Sequence, residues 1–244
     1  MNESGRGKVG FWSLWVTQFQ GAFSDNIHKQ LVQFIVVAVA VTEAQRDWLT
    51  GLVGVLFAAP FIIFSMSGGW LADRFSKRNV TIGVKVLEIA VMGLATLGLV
   101  LVNVPLLLVC VFLMSLQSAL FGPTKYGLMP ELLPEKELSW GNGVLQLGTN
   151  VAVVAGIAVA GWLSDVFQGR LGWCGALLVG LAVVGTVTSL GVPRLSAGDP
   201  HRQFRFNFLG EFVAQWRLIR NDRVLKLAVL GGAVFLVHRH AADH

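Results

Sequence analysis

The sequence predicts an all-α membrane protein: a bundle of six membrane-spanning helices followed by the start of a seventh. Hydrophobic residues make up 54% of the 244 residues and charged residues only 14%, and the mean hydropathy is +0.65. A soluble domain carries nearer about 25% charged residues. Several apolar runs also reach the roughly 20 residues that a helix needs to cross a bilayer. The positive charges, in turn, gather between alternate runs, which sets an orientation. The +5 net charge is therefore explained by topology, and no nucleic-acid partner is expected. Cys110 and Cys174 both fall inside apolar runs and read as small buried residues, not as a disulfide or a metal pair. No cofactor, metal or catalytic residue is expected.

Met1 to Gly10 is a polar lead. Helix 1 is expected over 11–41. Asp25, His28 and Lys29 interrupt its apolar character, and its length argues against a cleaved signal peptide. Glu43 to Asp47 reads as a short outer loop. Helix 2 follows over 48–72 with Pro60 in its middle, and helix 3 over 80–102. Asn103 and Pro105 mark the next outer turn, and helix 4 runs to about Phe121. A longer inner loop with three prolines is expected from Gly122 to Leu138. Helix 5 spans 139–163, where Gly148, Ala152, Gly156 and Ala160 recur every fourth residue, a stripe suited to close helix packing. Helix 6 spans 171–192.

The lysines and arginines test this topology. With the N-terminus inside, Arg6, Lys8, Arg74, Lys77, Arg78, Lys125 and Lys136 fall on the inner side. Arg194, Arg202, Arg205, Arg217, Arg220, Arg223 and Lys226 fall there too, against only Arg46 and Arg170 outside. That asymmetry fixes the inner face as cytoplasmic. Seven tryptophans (Trp12, Trp15, Trp48, Trp70, Trp140, Trp162 and Trp173) lie near expected helix ends, where interfacial aromatic belts form. The six-helix bundle is thus assigned to 1–192. Residues 193–223 form a basic cytoplasmic linker, in which Phe208 to Arg220 has one apolar face and suits the inner leaflet and its anionic lipids. Residues 224–244 hold an incomplete seventh helix and an aberrant tail, because Val224 to Val237 is too short to span comfortably.

The densely charged turn Gly69-Trp70-Leu71-Ala72-Asp73-Arg74-Phe75-Ser76-Lys77-Arg78 organises this reading. Its spacing of Gly, Leu, Asp and Arg, closed by two basic residues, resembles the signature loop between helices 2 and 3 of the major facilitator superfamily. The resemblance implies a transporter half in which Gly69, Asp73, Arg74, Lys77 and Arg78 form a conformational latch. Ser76 stands where that family most often has glycine, so a less tight turn is expected. Gly68 and Gly69 are expected to let backbones approach where helices meet.

A second stretch, Phe121-Gly122-Pro123-Thr124-Lys125-Tyr126-Gly127-Leu128-Met129-Pro130-Glu131-Leu132-Leu133-Pro134 with Asn142-Gly143 after it, resembles the bacterial lysophospholipid transporter branch. Gln18, Gly21, Asp25 and Asn26 fit the same branch. The resemblance implies inward movement of lysophosphatidylethanolamine-type lipids across the bacterial inner membrane by alternating access. It also implies twelve helices in the whole transporter, so this chain reads as a first half with the start of a second and is not expected to transport alone. Some members of the branch are fused to, or encoded beside, an acyltransferase and an acyl-carrier-protein ligase, which makes such an enzyme a candidate partner. Two alternatives are another solute or drug transporter of the superfamily, and the membrane module of an acyltransferase fusion. Helix 4 lacks the arginine, and helix 5 the glycine-proline pair, typical of proton-coupled drug exporters. The His238 and Asp243 spacing matches an acyltransferase motif only by chance.

The residues themselves point to a buried polar face. Gln18, Gly21, Ala22, Asp25, Lys29 and Gln33 recur at three- and four-residue steps on helix 1, and intramembrane charges normally face an interior cavity. Asp25 and Lys29 are one turn apart with the acid first, the favourable order for a pair. Asp25 is the candidate for a lipid ammonium, and Lys29 or Lys125 for its phosphate, with a purely structural pair weighed equally. Lys85 and Glu88 are three apart on helix 3 and suit a structural or coupling pair. Gln117, Gln146 and Asn150 are weaker candidates, since helix-to-helix hydrogen bonds explain them equally well.

Overall fold

Every element that the computed structural model describes, over residues 3–195 and 198–200, is helical. The order is α1 (Glu3–Val39), α2 (Glu43–Arg74), α3 (Lys77–Leu101), α4 (Val104–Leu132), α5 (Leu138–Val166) and α6 (Gly172–Ser189), with one 3₁₀ turn at Glu135–Glu137. The amphipathic segment at 208–220, the seventh-helix start and the tail lie outside the described residues.

Local chemistry sets the helix ends. Thr42 caps α2, its hydroxyl accepting from the Gln45 amide at 3.2 Å, with Glu43 in the first turn and Arg74 in the last. Both charges complement the helix dipole. Glu43 to Asp47 is therefore the opening of α2 and not a loop, a correction to the boundary read from its polarity. Asn103 caps α4 through its side-chain oxygen, 3.0 Å from the Leu106 amide. Pro105 sits in the first turn, where a missing N–H costs nothing. Val102 ends α3 in the left-handed region at φ 50, and the Asn103 amide returns to the Gly98 carbonyl at 2.9 Å. This closure normally uses glycine, and a β-branched residue holds it under strain.

The expected inner loop at Gly122–Leu138 is the largest boundary error. α4 continues through Pro123 and Pro130 to Leu132. Each proline removes one backbone hydrogen bond, but α4 packs on α2, α3 and α1 and buries Thr124, Leu128, Met129 and Leu132. Neighbouring helices compensate such breaks inside membranes. Helix 1 likewise begins at Glu3, so most of the polar lead is helical.

α2, α3, α4, the segment Glu135–Val166 and α6 are each long and apolar enough to cross a membrane. α1 is long but carries Asp25, His28 and Lys29 at its middle. It packs on α5, α6 and α4, so it lies inside the bundle; α2 packs chiefly on α4, and α3 on α6 and α4. The small-residue stripe of α5 is buried. A side chain at Gly148 would strike the Trp15 indole, and one at Gly156 the Phe23 carbonyl, so the stripe lets α5 lie against α1. Trp48, Trp162 and Trp173 are exposed at one end of the bundle and Trp12 and Trp140 at the other, as two interfacial belts require.

Buried apolar residues form two clusters. One joins Ile27, Val36, Leu99, Leu107 and Leu163 toward the α1–α2 turn. The other joins Phe11, Val84, Phe121, Leu128 and Leu145 toward the α2–α3 turn. Between them lies a layer of buried polar side chains, and that layer positions the site.

Candidate functional site

Helix α1 supplies most of the polar layer. Thr17, Gln18, Gln20, Ser24, Asp25, Asn26 and His28 are all buried, on a helix whose neighbours enclose it. From α3 come Lys85 and Glu88, and from α4 Ser115 and Gln117. Such groups are costly in a bilayer interior unless paired or set against a cavity, and both solutions occur here.

The paired part lies between α1 and α3. The Lys85 ammonium contacts Glu88 Oε2 at 2.5 Å and Gln20 Oε1 at 2.7 Å. Glu88 Oε1 accepts from Gln20 Nε2 at 2.9 Å and from Ser24 Oγ at 3.0 Å. Glu88 is wholly buried and Lys85 3% exposed, so the lysine does not reach the interface. Thr186 of α6 donates to the Lys85 carbonyl at 3.1 Å, tying a third helix to the cluster.

The open part is a cavity of about 200 Å³ lined from α1, α2, α4 and α5, with Lys85 of α3 at its back. That is ample room for ordered water or a small polar group. Gln18, Gly21, Ala22, Asp25 and Asn26 form one wall; Phe57 and Phe61 face from α2, Gln117, Ser118, Phe121 and Lys125 from α4, and Thr149 and Val153 from α5. Asp25 is 6% exposed. Its Oδ2 accepts from Ser118 Oγ at 2.6 Å, while its Oδ1 has no hydrogen-bond partner. A buried carboxylate oxygen left over is expensive, and here it belongs to a residue that lines a cavity. Gln18 donates to Thr149 at 3.2 Å, joining α1 to α5 across the same wall.

Gln18, Asp25, Gln117 and Lys125 thus come together, and Lys125 lies on a helix and not in the expected loop. Lys29 does not join them and forms no ion pair with Asp25. Its ammonium lies 4.5 Å from the centre of the Phe57 ring, a cation–π contact between α1 and α2. Asn150 is also absent from the cavity: it is exposed and accepts from Gln146 at 3.1 Å. At 3.6 residues per turn it projects roughly opposite the buried α5 stripe, and neighbouring Thr149 takes the cavity position. Sequence reasoning missed Thr149, Ser118, Phe57, Phe61 and Phe121. Polar spacing on α1 finds one wall only, and small hydroxyls or aromatics on the facing helices carry no comparable signal. His28, read only as an interruption, is buried with Nε2 unpartnered.

The charged turn divides between helix ends. Gly69 to Arg74 closes α2, Phe75 and Ser76 make the turn, and Lys77 opens α3. Lys77 pairs with Glu131 of α4 at 2.5 Å, and Arg78 donates to the Leu190 carbonyl just beyond α6 at 3.1 Å. Arg74 lies 5.5 Å from the Trp70 ring. The Asp73 carbonyl accepts from the Asp199 amide at 2.8 Å. Ser76 has φ −54, open to any residue, and its hydroxyl donates to the Leu195 carbonyl at 2.7 Å. The turn has no need of glycine there. Gly68 meets the α4 backbone, with Ala119 and Leu120 carbonyls 3.0 Å from an added Cβ, whereas Gly69 faces open space. The close approach is therefore to α4, and Gly69 makes none.

Residues 14–238 match the family described as Major Facilitator Superfamily. Among curated proteins, the chain is 29% identical to a protein of Salmonella heidelberg (strain SL476) named lysophospholipid transporter LplT, over 89% of this chain and 54% of that one. It is 26% identical to the Photorhabdus laumondii protein of the same name, over 93% of this chain and 54% of that one. The chain spans about half the length of the curated relatives it matches. Among solved structures, a mutant of a peptide transporter POT in complex with sulfate aligns with TM-score 0.65 at 16% identity, over 97% of this chain and 49% of that one. At that identity the likeness concerns the fold.

Proposed function

Because this chain belongs to the major facilitator superfamily, we propose that it acts in lysophospholipid transport, moving lysophosphatidylethanolamine-type lipids across the bacterial inner membrane by alternating access. In this reading the N-terminus and the Asp73 turn are cytoplasmic, and the chain is a carrier, not an enzyme. An acyltransferase or acyl-carrier-protein ligase is the fitting partner to consume the lipid it delivers. Two curated relatives named as lysophospholipid transporters support the substrate class.

The observation that carries the reading is the Asp25 carboxylate, buried at the cavity with one oxygen unsatisfied. A zwitterionic headgroup offers an ammonium, which that oxygen would receive. Phe57, Phe61 and Phe121 beside it suit the glycerol and acyl portions. Asp73, Arg74, Lys77 and Arg78 act as the latch between states by fixing where α2 ends and α3 begins, and Lys77 and Arg78 do so through α4 and the end of α6.

Asp25→Asn keeps the size and removes the charge. In a transporter that pairs this half with an opposing half, lysophospholipid uptake should collapse in Asp25→Asn while membrane expression and thermal stability persist. Normal uptake, or a parallel loss of folded protein, would leave Asp25 a purely structural role.

A further inference from the structure

The cavity has an acid for the ammonium of a zwitterionic lipid, and its anion site remains to be found. Lys29 is turned onto Phe57; Lys125 lines the cavity, but its ammonium lies 5.0 Å from the Tyr126 ring and has no fixed hydrogen-bond tether among the described residues. Lys85 is different. We propose that Lys85 is the phosphate-binding residue of the cavity, presented through a gap left by Gly21 and held in place by Gln20 and Glu88. This rests on the lysophospholipid reading above and deepens it.

An ammonium has three N–H donors. Those of Lys85 reach Glu88 Oε2 and Gln20 Oε1, which leaves one. Gly21 and Lys85 both line the cavity, and a Cβ on Gly21 would sit 3.1 Å from Lys85 Nζ. The missing side chain is thus what leaves the ammonium uncovered on the cavity side. A second glycine makes room behind it. A Cβ on Gly185 of α6 would overlap the Gln20 amide and lie 3.0 Å from Lys85 Cε. The lysine is threaded between two glycines on different helices and tethered at its tip, which is far more ordering than a neutral packing role needs.

The spacing also fits. Gly21 and Asp25 are four residues apart on α1, about 6 Å along the axis. That is comparable to the separation of phosphate and ammonium across the two carbons of an ethanolamine ester. Glu88 lends the site a fixed partner: it satisfies the lysine when the cavity is empty and so permits a cation to remain in the membrane interior. A phosphate oxygen then gains a charge-assisted hydrogen bond from a donor that needs no reorganisation.

The test is binding to the 244-residue chain in nanodiscs, with three ligands of one acyl chain: lysophosphatidylethanolamine, lysophosphatidic acid, which lacks the ammonium, and monoacylglycerol, which lacks both charges. Gly21→Ala keeps the Lys85–Glu88 pair and covers the ammonium. It should weaken both phosphate-bearing lipids by about tenfold, the size of one charge-assisted contact, and leave monoacylglycerol unchanged. Lys85→Met should do the same, and where it fails to fold Gly21→Ala decides. Asp25→Asn should weaken lysophosphatidylethanolamine alone. Undiminished lysophosphatidic acid binding in Gly21→Ala, or its loss only in Lys125→Gln, overturns the assignment while the lysophospholipid reading stands. A wild-type chain that binds all three ligands equally overturns both.

Discussion

At the residue scale, charge in an apolar run was the readable signal and its partner was not. Asp25 was legible because an acid in mid-membrane needs a reason. The supposed partner, Lys29, followed from one-turn spacing, yet a long side chain can swing to an aromatic ring on the next helix, and Phe57 takes it. Lys85 and Glu88 paired as expected because three-residue spacing left both facing inward, with no competing partner outside. What spacing did not reveal was Gln20 and Ser24, which complete the cluster from 68 and 64 positions away in sequence. The cluster yields a prediction. Glu88→Ala strands a buried ammonium and should cost about 3–5 kcal/mol, read as a lowered midpoint of thermal unfolding in detergent. Replacing both partners, Lys85→Met with Glu88→Met, should recover most of it. A single substitution as stable as wild type would show that the pair is solvated in practice.

At the element scale, five helices are readable from apolar length and α1 from its length despite its charges, and the errors cluster where a residue type usually punctuates soluble chains. Three prolines suggested a loop, but only Pro134 breaks the chain, since packing carries α4 through Pro123 and Pro130. The α5 stripe was readable because close packing needs small residues at a fixed step, although its partner helix was not. The structure separates its glycines by consequence. Gly156 faces the backbone of α1, where an added Cβ would lie 2.7 Å from the Phe23 carbonyl, whereas Gly161 faces open space. Gly156→Ala must push two helices apart and should destabilise the bundle by about 1–3 kcal/mol. Gly161→Ala should be neutral or slightly stabilising, as expected for a helix interior. Equal midpoints for the two variants would mean that the α1–α5 contact is looser than the geometry states.

At the scale of the whole molecule, the topology proposed from the charge asymmetry puts the turn between α2 and α3 on the cytoplasmic side. Asn79 is exposed in the first turn of α3, so a cysteine there should react with an impermeant maleimide only in inverted vesicles. Labelling in intact cells from outside would reverse the topology. The same architecture bears on what the bundle does by itself. The cavity takes its walls from α1, α2, α4 and α5, but α2 and α5 do not pack together to close it. Alternating access needs a second body that rocks against the first around a fixed site. A lone wall can hold a headgroup and has nothing to rock against. The 244-residue chain reconstituted in liposomes should therefore bind lysophosphatidylethanolamine, with binding lowered by Asp25→Asn, and yet leave the rate of lipid movement between leaflets at that of empty liposomes. Movement at a rate like that of a transporter with two halves would refute this, and would require two copies of the chain to face each other across the cavity.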